Sequence, residues 1–352
     1  MVRALMAVDL TGGKPEGWEY VFASQPDDPE MRESVNAWIW DDSGEFAIPR
    51  LGVEAPGDRW DTHDIQVNLA FADGHVYSMY GPHPVHDPIA ADGKPRILGA
   101  GPLRMELVEP YAHLHISVDG MAQAMTVQDQ MKGFFPGQTG GEEVRVTAEI
   151  DLRPVVPPWE NGTMSAEAHR VLTEQDEGGL VGIPWRFEQL CRATGTVTVG
   201  ERTHSLDGGA DRIRRQGVRR LATFRGHAWQ AALFPDGRGF GYQTFPERTD
   251  GLPTYNEGYV FTGDGELIPA TVVSAPWLTE LHPSGEDVTV VLEAAGETHE
   301  IRGETLCSTF MVMPAEVSGG GMQLQQAVTR YTWDGETGMG MTERSCTTQA
   351  LA

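Results

Sequence analysis

GTVTVGERTHSLDGGADRIRRQGVRRLATFRGHAWQAALFPDG, residues 195–237, is the stretch around which the rest of the chain is organised. It opens in the two-residue alternation of a half-buried strand. Asp207-Gly208 supplies a turn pair. Arg202, Arg212, Arg214, Arg215, Arg219, Arg220 and Arg225 then fall within 24 positions of an otherwise acidic chain. His227, Trp229 and Phe234 follow, the first set in the second half suited to line a pocket.

Outward from this segment the same strand grammar repeats on both sides. Upstream, SVNAWIWDD, EFAIPRLGVEA and HDIQVNLAFADGHVYSMYG alternate, the last as a hairpin around Ala72-Asp73-Gly74-His75. GPLRMELVEPYAHLHISVDGMAQAMTVQDQMKGFF reads as two or three more strands with a turn at Val118-Asp119-Gly120, and EEVRVTAEIDLRPVVPP closes the first half. Pro154, Pro157 and Pro158 end that sheet. TMSAEAHRVLTEQD, residues 163–176, is the clear helical segment, with Ser165 as its cap and Gly178-Gly179 as its stop. Downstream, strands resume, punctuated by Asp/Gly turns at 207–208, 236–237, 264–265 and 334–335. The expected division is a β unit over 1–160, a helical linker over 161–179 and a second β unit over 180–352. With at most one helix between many strands, an α/β fold is excluded.

Composition sets the remaining bounds. Acidic residues outnumber basic ones 51 to 26, for a net charge of −25, which repels nucleic acid and anionic membrane surfaces. The 42 Gly and 23 Pro suit many short strands better than long helices. Cys191, Cys307 and Cys346 are odd in number, widely spaced and without a CxxC, as expected of reduced thiols in a cytoplasmic protein. No apolar run is long enough for a membrane span. Nucleotide-binding and hydrolase motifs are missing, and no cofactor is expected. His113-Leu114-His115 and His83/His86 are the histidine clusters, but spacing suggests no third ligand, so no metal site is expected. A homodimer is left open.

Three phrases carry a resemblance: GPLRMELVEPY (101–111), WRFEQLCRATGTVTV (185–199) and RYTWDGETGMGMTERS (330–345). With the two-unit layout, they are similar to the two-domain lipocalin-like superfamily of carotenoid 1,2-hydratase and AttH-like proteins. The resemblance implies an all-β fold of two lipocalin-like barrel or sandwich domains, one short linking helix, and an apolar cavity in or between the halves. It implies hydratase, isomerase or cyclase chemistry on a hydrophobic alkene or alcohol. Relatives often carry G-x-R-D-H-S-W-G-x-R. Here Arg212, Gly217 and Arg219 fit its outer positions, while Ile213-Arg214-Arg215-Gln216 replaces the Asp-His-Ser-Trp centre. A non-catalytic carrier or sensor of a lipophilic molecule on the same scaffold is the competing expectation.

Such chemistry needs a proton donor beside an apolar wall, aromatic faces for developing positive charge, and a base. Asp61 and His63 share a strand face and make one acid/base pair. Trp38 and Trp40 project together as walls, or simply as barrel core. His227 and Trp229, followed by Tyr242, form a third set, and Glu257 lies between Tyr255 and Tyr259 as a general acid with phenol neighbours. Tyr331, Trp333 and Glu343 form the fourth, with Gly338, Gly340 and Glu343 matching a GxGxxE phrase of the resembling family in a strand-closing role. Arg219, Arg212, Arg214 and Arg220 can hold an anionic ligand group or pair with the chain's own acids.

Overall fold

The computed structural model describes residues 8–134, 141–173, 185–218, 225–248, 251–313 and 321–347. Its first sheet contains β1 (Met31–Asp41), β2 (Phe46–Pro56), β3 (Thr62–Phe71), β4 (His75–Pro84), β5 (Ile97–Ala100), β6 (Leu103–Glu109), β7 (His113–Thr126), β8 (Glu143–Pro154), β9 (Trp159–Glu160), β10 (Trp185–Val199) and β11 (Arg202–Val218). The run β4-β3-β2-β1-β11-β10-β8-β7 closes on itself where β4 pairs with β7, and β6 and β5 extend from β7. The second sheet is a closed eight-stranded barrel of β12 (Gly226–Leu233), β13 (Gly239–Thr244), β14 (Asn256–Phe261), β15 (Ile268–Ser274), β16 (Val290–Ala294), β17 (Glu297–Met313), β18 (Met322–Trp333) and β19 (Glu336–Cys346). The fold is all-β, two lipocalin-like barrels with a short helix between them.

Strand pairing moves one piece of the expected organisation. Sequence pattern places residues 185–218 in the C-terminal unit, but β10 pairs with β8, and β11 pairs with β1. They belong to the first sheet because β1 and β8 otherwise present open edges. The expected turns at Asp119-Gly120 and Asp207-Gly208 are not turns. β7 and β11 run straight through them. A Cβ at Gly120 would lie 2.6 Å from Pro102, and one at Gly208 would lie 2.1 Å from the Trp40 carbonyl oxygen. Both glycines permit close packing rather than reversal. The β10–β11 turn is at Gly200 instead, with φ +59°. Asp334-Gly335 is the expected hairpin turn, both residues at positive φ.

Helix α1 (Val127–Met131) has no counterpart in the sequence pattern. Thr126 and Asp129 close a capping box at its start. The linking helix α2 (Ala166–Thr173) begins where Ser165 Oγ accepts from Ala168 N at 3.0 Å, the anticipated cap. Gly178-Gly179 lies outside the described residues.

The strands buried on both faces locate the contact between the barrels. In β1, Ala37 and Ile39 face the first barrel's interior, while Trp38 and Trp40 join the cluster that includes Trp229, Met339 and Met341 of the second. In β12, Ala228 and Ala232 point into the second barrel, and Trp229, Ala231 and Leu233 point at the first. Trp38 meets Trp229 edge to face at 4.4 Å. Truncating any one of these buried indoles costs about 3–5 kcal/mol.

Candidate functional site

Antiparallel pairing of β12 with β19 sets Trp229 opposite Glu343 and His227 opposite Ser345. Directly opposed residues project to one face, so carboxylate, imidazole and hydroxyl stand side by side. Glu343 Oε1 accepts from His227 Nε2 at 3.0 Å. Its Oε2 accepts from Gln326 Nε2 at 2.6 Å and from Trp38 Nε1 at 3.2 Å. Burial alone would raise the Glu343 pKa, but the His227 bond and charge, Arg50 and Gln326 outweigh it and hold it down to about 2. Glu343 is therefore an ionised acceptor, which puts a proton on His227 Nε2.

The other ring nitrogen, Nδ1, lies 2.7 Å from Ser345 Oγ. Ser345 Oγ also accepts the His227 backbone N–H at 3.2 Å, which leaves its own proton to point at Nδ1 wherever that nitrogen carries none. The chain Glu343–His227–Ser345 follows the acid–imidazole–hydroxyl logic of a catalytic triad, with the two ring nitrogens exchanged. It can pass a proton between Ser345 and His227 while Glu343 stabilises the imidazolium.

Ser345 lines a pocket of about 630 Å³ at one end of the second barrel. Phe245, Val272, Trp277 and Leu278 give it apolar walls, and Thr244, Thr254, Asn256 and Arg225 give it polar ones. Arg225 is fixed by the carbonyls of Glu247 and Pro246 at 2.6 and 2.9 Å. Thr254 Oγ1 is buried without a hydrogen-bond partner among the described residues. Trp277 and Val273 remain 38 and 62 % exposed beside it. A half-open pocket that sets apolar walls beside convergent polar groups can hold a small molecule.

The seam behind the relay carries a second unusual acid. Asp211 lies opposite Trp38 in β1 and Leu190 in β10, is 1 % exposed, and neither carboxyl oxygen has a hydrogen-bond partner among the described residues. Burial pushes it up to about 7 against the pull of Arg186 and Arg212. Beside it Arg186 pairs with Glu188, which accepts Trp229 Nε1 at 2.8 Å.

A family model described as a domain of unknown function, DUF7064, matches residues 18–347. The chain belongs to the DUF7064 family. No curated protein matches it. Among solved structures, CghA with Sch210972 superposes with a TM-score of 0.58 at 11% identity, covering 90% of this chain and 88% of that one. A candidate AttH from Nitrosomonas europaea gives 0.54 at 12%, covering 92% and 98%. A second CghA structure gives 0.53 at 11%, covering 98% of each chain. At these identities the likeness shows the fold, which is shared across nearly the whole of this DUF7064 chain.

The structure brings together only some of the residues singled out by sequence. Asp61 and His63 do not form a pair. Asp61 is exposed in the turn before β3, and His63 is buried against Trp60 at 5.1 Å. Neither His63 nitrogen has a hydrogen-bond partner among the described residues, and burial lowers its pKa to about 4. Glu257 does lie between Tyr255 and Tyr259, but the row faces the linker rather than a cavity. Its oxygens accept from Tyr255 Oη, Trp159 Nε1 and the backbone N–H groups of Gly162, Met164 and Ser165. Held by these five donors, Glu257 clamps the linker onto β14.

Trp38, Trp40 and Trp229 form the inter-barrel seam, not cavity walls. Tyr242 lies on the opposite face of the sheet from Trp229. It pairs with Gln230 and donates to Gln230 Oε1 at 2.9 Å inside the second barrel. Tyr331 fills the same interior, 2.8 Å from Thr342 Oγ1. Trp333 packs between Phe234 and Arg238. In the first barrel the void beside Glu19 and Arg212 is about 10 Å³, too small for a ligand, while a pocket of about 710 Å³ opens among Phe71, Tyr77, Val144, Val199 and His204, away from the catalytic and wall candidates of the sequence. Arg219 and Arg220 lie outside the described residues. Three arginines of the cluster pair with the chain's own acids: Arg212 with Glu19, Arg214 with Glu33 and Arg215 with Glu54. Sequence reading picks out His227 but misses Ser345. Its only signal is its position two residues beyond Glu343 on one strand face.

Proposed function

We propose that this DUF7064 chain is a cofactor-independent enzyme that moves a proton on a hydrophobic small molecule bound beside Ser345. The reaction class is hydration or dehydration, isomerisation or cyclisation, and the substrate class is an isoprenoid, steroid-like or aromatic alkene or alcohol. The resemblance to carotenoid 1,2-hydratase supports this class. The observation that carries the reading is the Glu343–His227–Ser345 hydrogen-bond chain, which ends at Ser345 in the lining of a pocket of about 630 Å³. Ser345 takes a proton from the substrate while passing its own to His227 Nδ1, and Glu343 holds the resulting imidazolium. In the reverse direction the same chain delivers a proton to an alkene. Phe245, whose ring lies 6.2 Å from that of His227, and Trp277 offer aromatic faces to developing positive charge.

Incubation with a panel of lipophilic alkenes and tertiary alcohols, followed by product analysis, tests the reading. Turnover that falls at least about 100-fold in His227→Gln and Ser345→Ala, with binding retained, supports it. Turnover indifferent to both substitutions sinks it. A carrier is the second reading, favoured by the apolar lining and the exposed Trp277 and Val273 beside the pocket. Binding without turnover in the unsubstituted protein selects it.

A further inference from the structure

The outer face of the first barrel carries a histidine cluster unrelated to the pocket. In β7 the interior positions are Leu114, Ile116 and Val118, so His113 and His115 project outward together. The sequence offered them no third ligand within reach. Strand pairing supplies one: β8 sets Asp151 directly opposite His115. One carboxyl oxygen, Asp151 Oδ1, lies 2.6 Å from His113 Nε2 and 2.9 Å from His115 Nδ1. The three donor atoms all fall within 4.8 Å of one another.

We propose that His113, His115 and Asp151 bind one divalent transition-metal ion of the zinc class. Two imidazoles and one carboxylate suit zinc, cobalt, nickel or copper and not calcium or magnesium, which favour all-oxygen shells. Both nitrogens of His115 face carboxylate oxygens, Asp151 Oδ1 on one side and Glu149 Oε2 at 3.0 Å on the other. A metal ion at Nδ1 would take that nitrogen's lone pair with Asp151 as a fellow ligand, and leave Nε2–H to donate to Glu149. Carboxylate-anchored histidine of this kind is the usual outer support of a metal ligand. Glu106 and Glu109, opposite His115 and His113 on β6, add negative charge, with Arg104 pairing Glu106. The three ligand side chains are 16, 34 and 40 % exposed, which leaves room for water to complete the coordination. For an ion to sit about 2.0–2.2 Å from each donor, Asp151 Oδ1 must draw back from the two nitrogens it now touches, by rotation of these partly exposed side chains.

The test is titration of the tag-free, chelator-stripped chain with cobalt(II) and zinc(II). One visible-absorbing cobalt ion per chain is expected, displaced by zinc. His115→Ala and Asp151→Asn should each weaken zinc binding at least about 100-fold, and Glu149→Gln about 10-fold. Because the substitutions sit on a pairing strand, side-chain NMR of the unsubstituted protein gives an independent readout. Zinc should shift the His113 and His115 ring signals and leave His63 and His227 in place. Absence of stoichiometric binding, binding unchanged in both ligand variants, or shifts confined to other histidines would each overturn the proposal.

Discussion

Replacing Asp211 with asparagine separates its burial from its charge. The native carboxyl, raised from an ordinary 3.8 to about 7, keeps a proton that the unfolded chain has already released across that window. The native state therefore binds more protons than the unfolded one, and stability falls as pH rises through it. The slope is at most about 1.4 kcal/mol per pH unit. The amide of the substituted side chain has no such proton, so the Asp211→Asn protein should gain on the wild type steadily from about pH 4 to 7 and hold a constant difference above. Urea unfolding of both proteins at about one-unit pH steps measures it. Any loss from imperfect accommodation of the amide is a fixed offset that leaves the slope intact. A stability difference that does not change with pH would show that Asp211 ionises normally in the fold and would refute its isolation in the seam.

Further outcomes follow from individual contacts. Glu257→Gln should cost about 3 kcal/mol in urea unfolding, because three backbone N–H groups of the linker lose their carboxylate, while ligand binding beside Ser345 stays unchanged. Gly208→Ala should cost about 2 kcal/mol or more, since the new Cβ meets the Trp40 carbonyl oxygen, and a neutral effect would contradict the packing role given to this glycine. Glu343, held at about 2 from an ordinary 4.5, contributes stability that is present above about pH 4.5 and is lost as pH falls toward 2. Trp38→Phe removes one of the donors to Glu343, so acid unfolding followed by fluorescence should move to higher pH.

Much of the architecture could be read from pattern because alternation and turn chemistry act locally. The 72–75 hairpin, the Ser165 cap and the Asp334-Gly335 turn are all decided by a few neighbouring residues. Gly120 and Gly208 mislead because glycine answers two needs, reversal and close approach, and only the packed neighbour tells which. The placement of β10 and β11 is equally out of reach, since it depends on which edges β1 and β8 leave open. The same limit governs the site. His227 and Glu343 are visible as residue types, but the register of β12 on β19 makes them a pair and adds Ser345. Asp151 lies 36 positions from His115 and becomes its neighbour only through the β7–β8 pairing.

The central claim is that a lipophilic ligand binds against His227 and Ser345. Histidine-selective NMR tests it most directly, with the His227 signal assigned through His227→Gln. The titrant is the compound extracted from the purified protein, or the tightest binder of the alkene and alcohol panel. The account predicts that the His227 ring signals shift on binding while those of His63, His113 and His115 do not. Saturable binding that leaves His227 unmoved, or no binding by any compound of the panel, would contradict it.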